Sequence, residues 1–149
     1  MIYSQHTGLP YEYMSKGTIA SLRKRGFDPK SQGFMLEGSR DWQIVDELSP
    51  AKDDLVVRKH TASFFVGTYL DQLLRNRGVD TLVLVGVSTE AGIEGTARHA
   101  SYLGYLPVVV EDAVGSSNRE AHEAALGLMR RMFTVQTTEA TLESLKVAR

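Results

Sequence analysis

A doubly wound, mostly parallel α/β fold is predicted by three observations. The run DTLVLVGV, residues 80–87, is continuously apolar and rich in Val and Leu, as strands covered on both faces are. A second such run, LPVVVED, occupies residues 106–112. Between them Ile93, Ala97, Ala100 and Leu103 recur at three- and four-residue spacing, which is one face of an amphipathic helix. Strands alternating with helices of this length wind a parallel sheet on both sides.

The remaining elements extend the alternation. MIYSQH, residues 1–6, reads as a short first strand. Residues 7–50 are a long, weakly patterned connection with Gly and Pro punctuation, and stretches of that kind inside a domain are usually functional excursions. DLVVRK then reads as a strand, and GTYLDQLLRNRG as a helix with Leu70, Leu73 and Leu74 inward and Gly78 as its C-terminal cap. After LPVVVED, the segment Ser117 to Glu120 has the S-x-x-E form of a capping box. Ala121, Ala124, Ala125, Leu128 and Met132 continue it as a helical stripe, MFTVQTT reads as a last strand, and Thr138 opens a terminal helix. There is no internal repeat and no low-complexity tract.

Composition narrows the function. A chain of 149 residues can bury a core as one domain, residues 1–149, without staples or a structural metal. The net charge of −1, with acids and bases interspersed, offers no basic field for nucleic acid. No apolar run approaches a membrane span and the N-terminus lacks the regions of a signal peptide, so a cytoplasmic location is expected. The absence of cysteine excludes disulfides, thiolate zinc sites and thiol nucleophiles together.

In open parallel sheets ligands bind beyond the carboxyl ends of the strands. The residues expected there are His6, Lys59, Ser88 to Gly92, and Glu111 with Asp112. Lys59 shares strand parity with Leu55 and Val57. It either snorkels to water or, desolvated, stabilises developing negative charge or holds a carboxylate. The turn Ser88 to Gly92 supplies backbone N–H groups for an anion or oxyanion, as every helix start does. Gly92 costs about 1 kcal/mol against a good helix former. It admits either a ligand or a neighbouring element to the backbone. Glu90 suits the positive helix end, and Glu111 with Asp112 reads as a pair that bonds backbone and caps a loop. Phe64 and Phe65 read as core with one ring toward the crevice, and His99 and His122 as ordinary surface or core residues without metal-ligand spacing.

The run LVLVGVSTEAGIEGTARHASYLGYLPVVVEDAVGS, followed by HEAALGLM and preceded by DLVVRKHTASFFVGTYLDQLLRNRG, resembles the isochorismatase-like hydrolase superfamily, also called cysteine hydrolases. With YSQH as a match to the family's second strand, the likeness covers about two thirds of the chain. It implies a Rossmann-like three-layer α/β/α fold, a small-molecule substrate, no cofactor or metal, and a homo-oligomer. Family members use an aspartate after the first strand, a lysine after the third and a cysteine in the first helical turn after the fourth. The lysine carries over onto Lys59 and the cysteine position onto Gly92. Val87 to Thr89 matches the place where the family often has a non-proline cis peptide. The resemblance implies substrate contacts for Val87, Ser88, Thr89, Ala91, His6 and Phe64.

Glycine at position 92 excludes the family's thioester chemistry. Isochorismatases resemble this chain in that glycine and hydrolyse a vinyl ether by protonation, for which a carboxylic acid suffices. The implied reaction is hydrolysis of a small carboxylate-bearing ether, ester or amide; the alternative is a member that binds a metabolite or protein without turnover. The sequence begins where the family's second strand begins. The expectation is therefore a truncated chain, poorly active as given. In the strand order 3-2-1-4-5-6 it leaves two strands with unpaired inner edges.

Overall fold

A computed structural model describes residues 1–147. The described residues divide into two compact units, one ending at Thr61 and one starting at Ala62.

In the first unit β1 (Ile2–His6) and β2 (Leu55–Lys59) pair in parallel, from Ile2 opposite Leu55 to His6 opposite Lys59. The long connection carries α1 (Lys16–Lys24) and α2 (Pro29–Gln32) besides short 3₁₀ turns, more order than its weak patterning predicts. The signals were local ones. Ser15 caps α1 by accepting from the Thr18 N–H at 3.0 Å, Leu22 is its one buried residue, and Gly26 ends it at φ +80°, a conformation that glycine adopts without penalty. The connection is tied back at two points: the Trp42 indole donates to Thr7 Oγ1 at 2.9 Å, and the Gly8 N–H to the Met35 carbonyl at 2.8 Å.

The second unit contains α3 (Leu70–Asn76), β3 (Thr81–Val87), α4 (Glu94–Tyr102), β4 (Leu106–Gly115), α5 (Arg119–Met132), β5 (Thr134–Gln136) and α6 (Thr138–Val147). Its sheet is parallel in the order β3-β4-β5. Ile93, Ala97, Val109, Ala125, Leu126 and Met129 form the core. Among the described residues β1 pairs with β2 alone and β3 with β4 alone. No described helix is long and apolar enough to cross a membrane.

Several expectations need correction. Strand β3 is not covered on both faces: Val83, Val85 and Val87 are 43, 51 and 80% exposed, because a continuous apolar run records what a strand could bury and not what lies against it. The capping box at Ser117 does not form. Asn118, as good a cap as serine, accepts from the Ala121 N–H at 3.0 Å and sets the start of α5. Its inward face is accordingly Ala125, Leu126 and Met129, while Ala124, Leu128 and Met132 are exposed. Helix α3 begins at Leu70 and not at Gly67, whose φ of +72° lies outside a helix. It ends as expected at Gly78, φ +61°, with the Val79 N–H closing on the Leu74 carbonyl at 3.0 Å.

Candidate functional site

In the first unit the parallel register sets His6 and Lys59 side by side at the carboxyl ends of β1 and β2. Lys59 is only 6% exposed, so it does not snorkel to water; it follows Val57 inward, whereas Leu55 is exposed. Its ammonium donates to the Thr61 carbonyl at 3.1 Å, and burial pushes its pKa down. The same carbonyl accepts from the His6 ring. The His6 pKa is lowered, chiefly by burial, then by the positive charges of Lys59 and His60, with the Thr61 bond opposing them. Phe34 meets the His6 ring edge-on, with centroids 5.6 Å apart.

His60 was not anticipated from the sequence. Its Nδ1–H donates to the Thr7 carbonyl at 2.7 Å, across 53 positions of chain. The local signal was no more than a histidine following a strand-end lysine.

In the second unit β3 ends in a cis peptide between Val87 and Ser88, where the resemblance placed one. Thr89–Ile93 then form a π-helical turn that runs into α4. The Ser88 carbonyl accepts from the N–H groups of Ala91 and Ile93, both at 3.2 Å, and the wider turn opens the first residues before α4 tightens. Gly92 lies within this turn and is not among the glycines with positive φ, so the backbone conformation does not demand glycine there. Val87 is exposed, Ser88, Ala91 and Gly92 are half-buried, and Glu90 is exposed at the turn's positive end.

Thr89 is wholly buried, and its Oγ1 shares a 2.8 Å hydrogen bond with Nδ1 of His122 in the first turn of α5. His122 is thus tied to the candidate turn, a role its helical spacing did not disclose. Phe64 and Phe65 are both buried, which corrects the expectation of one ring facing a crevice. The Phe64 N–H donates to Thr96 Oγ1 at 3.0 Å; Phe65 stacks on Tyr105 at 5.7 Å. Ser63 Oγ and His99 Nδ1 are 2.9 Å apart. Of the acidic pair, Asp112 accepts from the Thr138 N–H and hydroxyl at 2.8 and 2.9 Å, capping α6, and Glu111 pairs with Arg130 at 2.6 Å. Both are engaged structurally.

The model of the isochorismatase domain family matches residues 2–141. YwoC of Bacillus subtilis (strain 168), an uncharacterized isochorismatase family protein, is 40% identical over 129 residues, 85% of this chain and 68% of that protein. The crystal structure of an isochorismatase family protein from Desulfovibrio vulgaris matches at TM-score 0.80 and 31% identity, over 99% of this chain and 75% of that one. The nicotinamidase PncA from Bacillus subtilis matches at TM-score 0.74 and 26% identity, over 91% and 73% respectively.

Proposed function

The chain belongs to the isochorismatase family, and from that membership we propose that it hydrolyses a small molecule carrying a carboxylate beside an ether, ester or amide bond, without a thiol. The observation that carries this reading is Lys59, an ammonium only 6% exposed at the carboxyl end of a parallel strand. A buried cation is costly. Its return, in this reading, is stabilisation of negative charge on the substrate, where low surrounding polarity strengthens the interaction. The start of α4 offers the positive end of a helix and the backbone N–H groups of Ser88, Thr89 and Glu90, the Ala91 N–H being bonded to the Ser88 carbonyl, as donors for a substrate oxygen. Water supplies the incoming oxygen and the departing group leaves with a proton. Val87, Ser88 and Ala91 at that turn, and His6 beside Lys59, are the substrate contacts in this proposal. Position 92 offers no nucleophile.

The test is turnover by the natural gene product of a panel of carboxylate-bearing vinyl ethers, esters and amides. Lys59→Ala is expected to lower kcat by about a hundredfold or more on the active class. An unchanged rate removes the lysine from the mechanism, and silence across the whole panel with tight binding of one of its members replaces the enzyme with a binder.

That second reading, ligand binding without turnover, is favoured by one observation, the complete absence of cysteine. Gly92→Cys discriminates. New amidase activity in this variant would show that only the thiol is missing; no gain, together with retained metabolite affinity, favours binding. A cytoplasmic homo-oligomer is part of the same proposal, and sedimentation equilibrium tests the assembly.

A further inference from the structure

Helices α4 and α5 run back from the carboxyl ends of β3 and β4, so each ends where the next parallel strand begins, at Leu106 in β4 and Thr134 in β5. Between these ends lies an open hollow of about 630 Å³, a size that admits a small molecule. It sits at the opposite ends of the strands from the turn at residues 88–92. Gly104 shapes one side: its φ of +90° lets the Tyr105 N–H close α4 on the Ala100 carbonyl at 3.0 Å. Leu106, Pro107, Met132 and Phe133 give the hollow an apolar wall, and Leu106 and Met132 remain 64 and 44% exposed.

The charged part of the lining is basic. Arg130 and Arg131 border the hollow, and among the described residues no aspartate or glutamate does. Arg130 is held by Glu111 at 2.6 Å, and Arg98, which touches the Met132 sulfur at 3.5 Å, is held by Glu94. Arg131 has neither an acid nor a hydrogen-bond acceptor among the described residues. The negative end of α5 favours a cation in its last turn, but it does not satisfy the five N–H donors of a guanidinium. We propose that this hollow is a second ligand site, for a small carboxylate with an apolar body. Arg131 takes the carboxylate through paired N–H donors, and Leu106, Met132 and Phe133 cover the apolar part. The site rests on the cavity and its charge, independently of the hydrolase reading.

The probe is 2-naphthoate, with 2-naphthamide as its uncharged counterpart, and the full chain carries ¹³C in its methionine methyls. Met132 reports on the hollow, and Met14 and Met35, in the first unit, report on the protein away from it. Naphthoate is expected to shift the Met132 resonance saturably while those of Met14 and Met35 stay in place, and naphthamide to bind about fivefold more weakly or worse. Arg131→Gln, at an exposed position, should weaken naphthoate by about fivefold or more and leave naphthamide unchanged. Leu106→Glu sets a like charge against the ligand and should weaken naphthoate more than naphthamide. A Met132 resonance unmoved at millimolar naphthoate overturns the proposal, as do equal affinities for acid and amide or an affinity indifferent to Arg131→Gln. Turnover of the ester panel bears on none of these outcomes, because the turn at residues 88–92 lies at the other end of the strands.

Discussion

The hydroxyl of Thr89 and Nδ1 of His122 lie 2.8 Å apart, joining the turn before α4 to the first turn of α5. Thr89 has no exposed surface, so its hydroxyl depends on a protein partner. His122→Leu is expected to cost about 1–3 kcal/mol, the penalty for a buried polar group left unmatched. Thr89→Val in the same background should recover much of the loss, since both partners are then apolar. Urea unfolding of the two single variants and the double variant checks this; equal, additive losses would show that the bond is not the link.

Lys59 poses a trade between stability and function. Burial lowers its pKa, so between the folded value and the unfolded one near 10.5 the unfolded chain holds more protons. Its charge therefore opposes folding below that window, and stability rises with pH through it. Lys59→Met removes the cost at similar length. The variant should unfold at higher urea than the parent at pH 7, with the difference shrinking above pH 10, while turnover of the panel falls about a hundredfold or more. A less stable Lys59→Met would mean that the ammonium's hydrogen bonds outweigh its desolvation.

Two glycines with ordinary φ respond oppositely. A methyl at Gly127, exposed in the middle of α5, meets nothing within 4 Å, and Gly127→Ala should stabilise by about 0.5–1 kcal/mol through helix propensity. A methyl at Gly8 would stand 1.7 Å from the Phe34 carbonyl oxygen, a contact only backbone movement can relieve. Gly8→Ala is expected to cost about 1–3 kcal/mol or more, and thermal unfolding separates the two outcomes.

Asp112 caps α6 through Thr138. The Thr138 hydroxyl, ahead of its backbone N–H, holds the Asp112 carboxyl below its usual value of 3.8. A depressed folded pKa contributes stability present above the unfolded pKa and lost as pH falls through the folded one. Asp112→Asn should therefore be less stable than the parent at pH 7, and the difference should close below pH 3.8. A gap that stays constant with pH would assign the effect to packing.

Much of the fold was legible in particular residues. The alternation from DLVVRK to LPVVVED located β2, α3, β3, α4 and β4, because each is a local pattern of apolar spacing. Gly78 ended α3 as read, since only a left-handed residue closes that turn cheaply. Helix α1 escaped because it buries a single residue, Leu22, too few for a period to show. The start of α5 slipped by one position, since Ser117 and Asn118 are comparable caps and local chemistry does not rank them.

The sequence by itself determined the family, the absence of sulfur and the placement of Lys59 at a strand end, all of which follow from the order of residues along single elements. Only the tertiary structure decided that His6 lies beside Lys59, that His60 bonds Thr7 across 53 positions and that His122 reaches Thr89 across 33. Parallel register and helix packing are set by the sum of many weak contacts between segments distant in the chain, and no local spacing encodes which polar groups such packing brings within hydrogen-bonding reach.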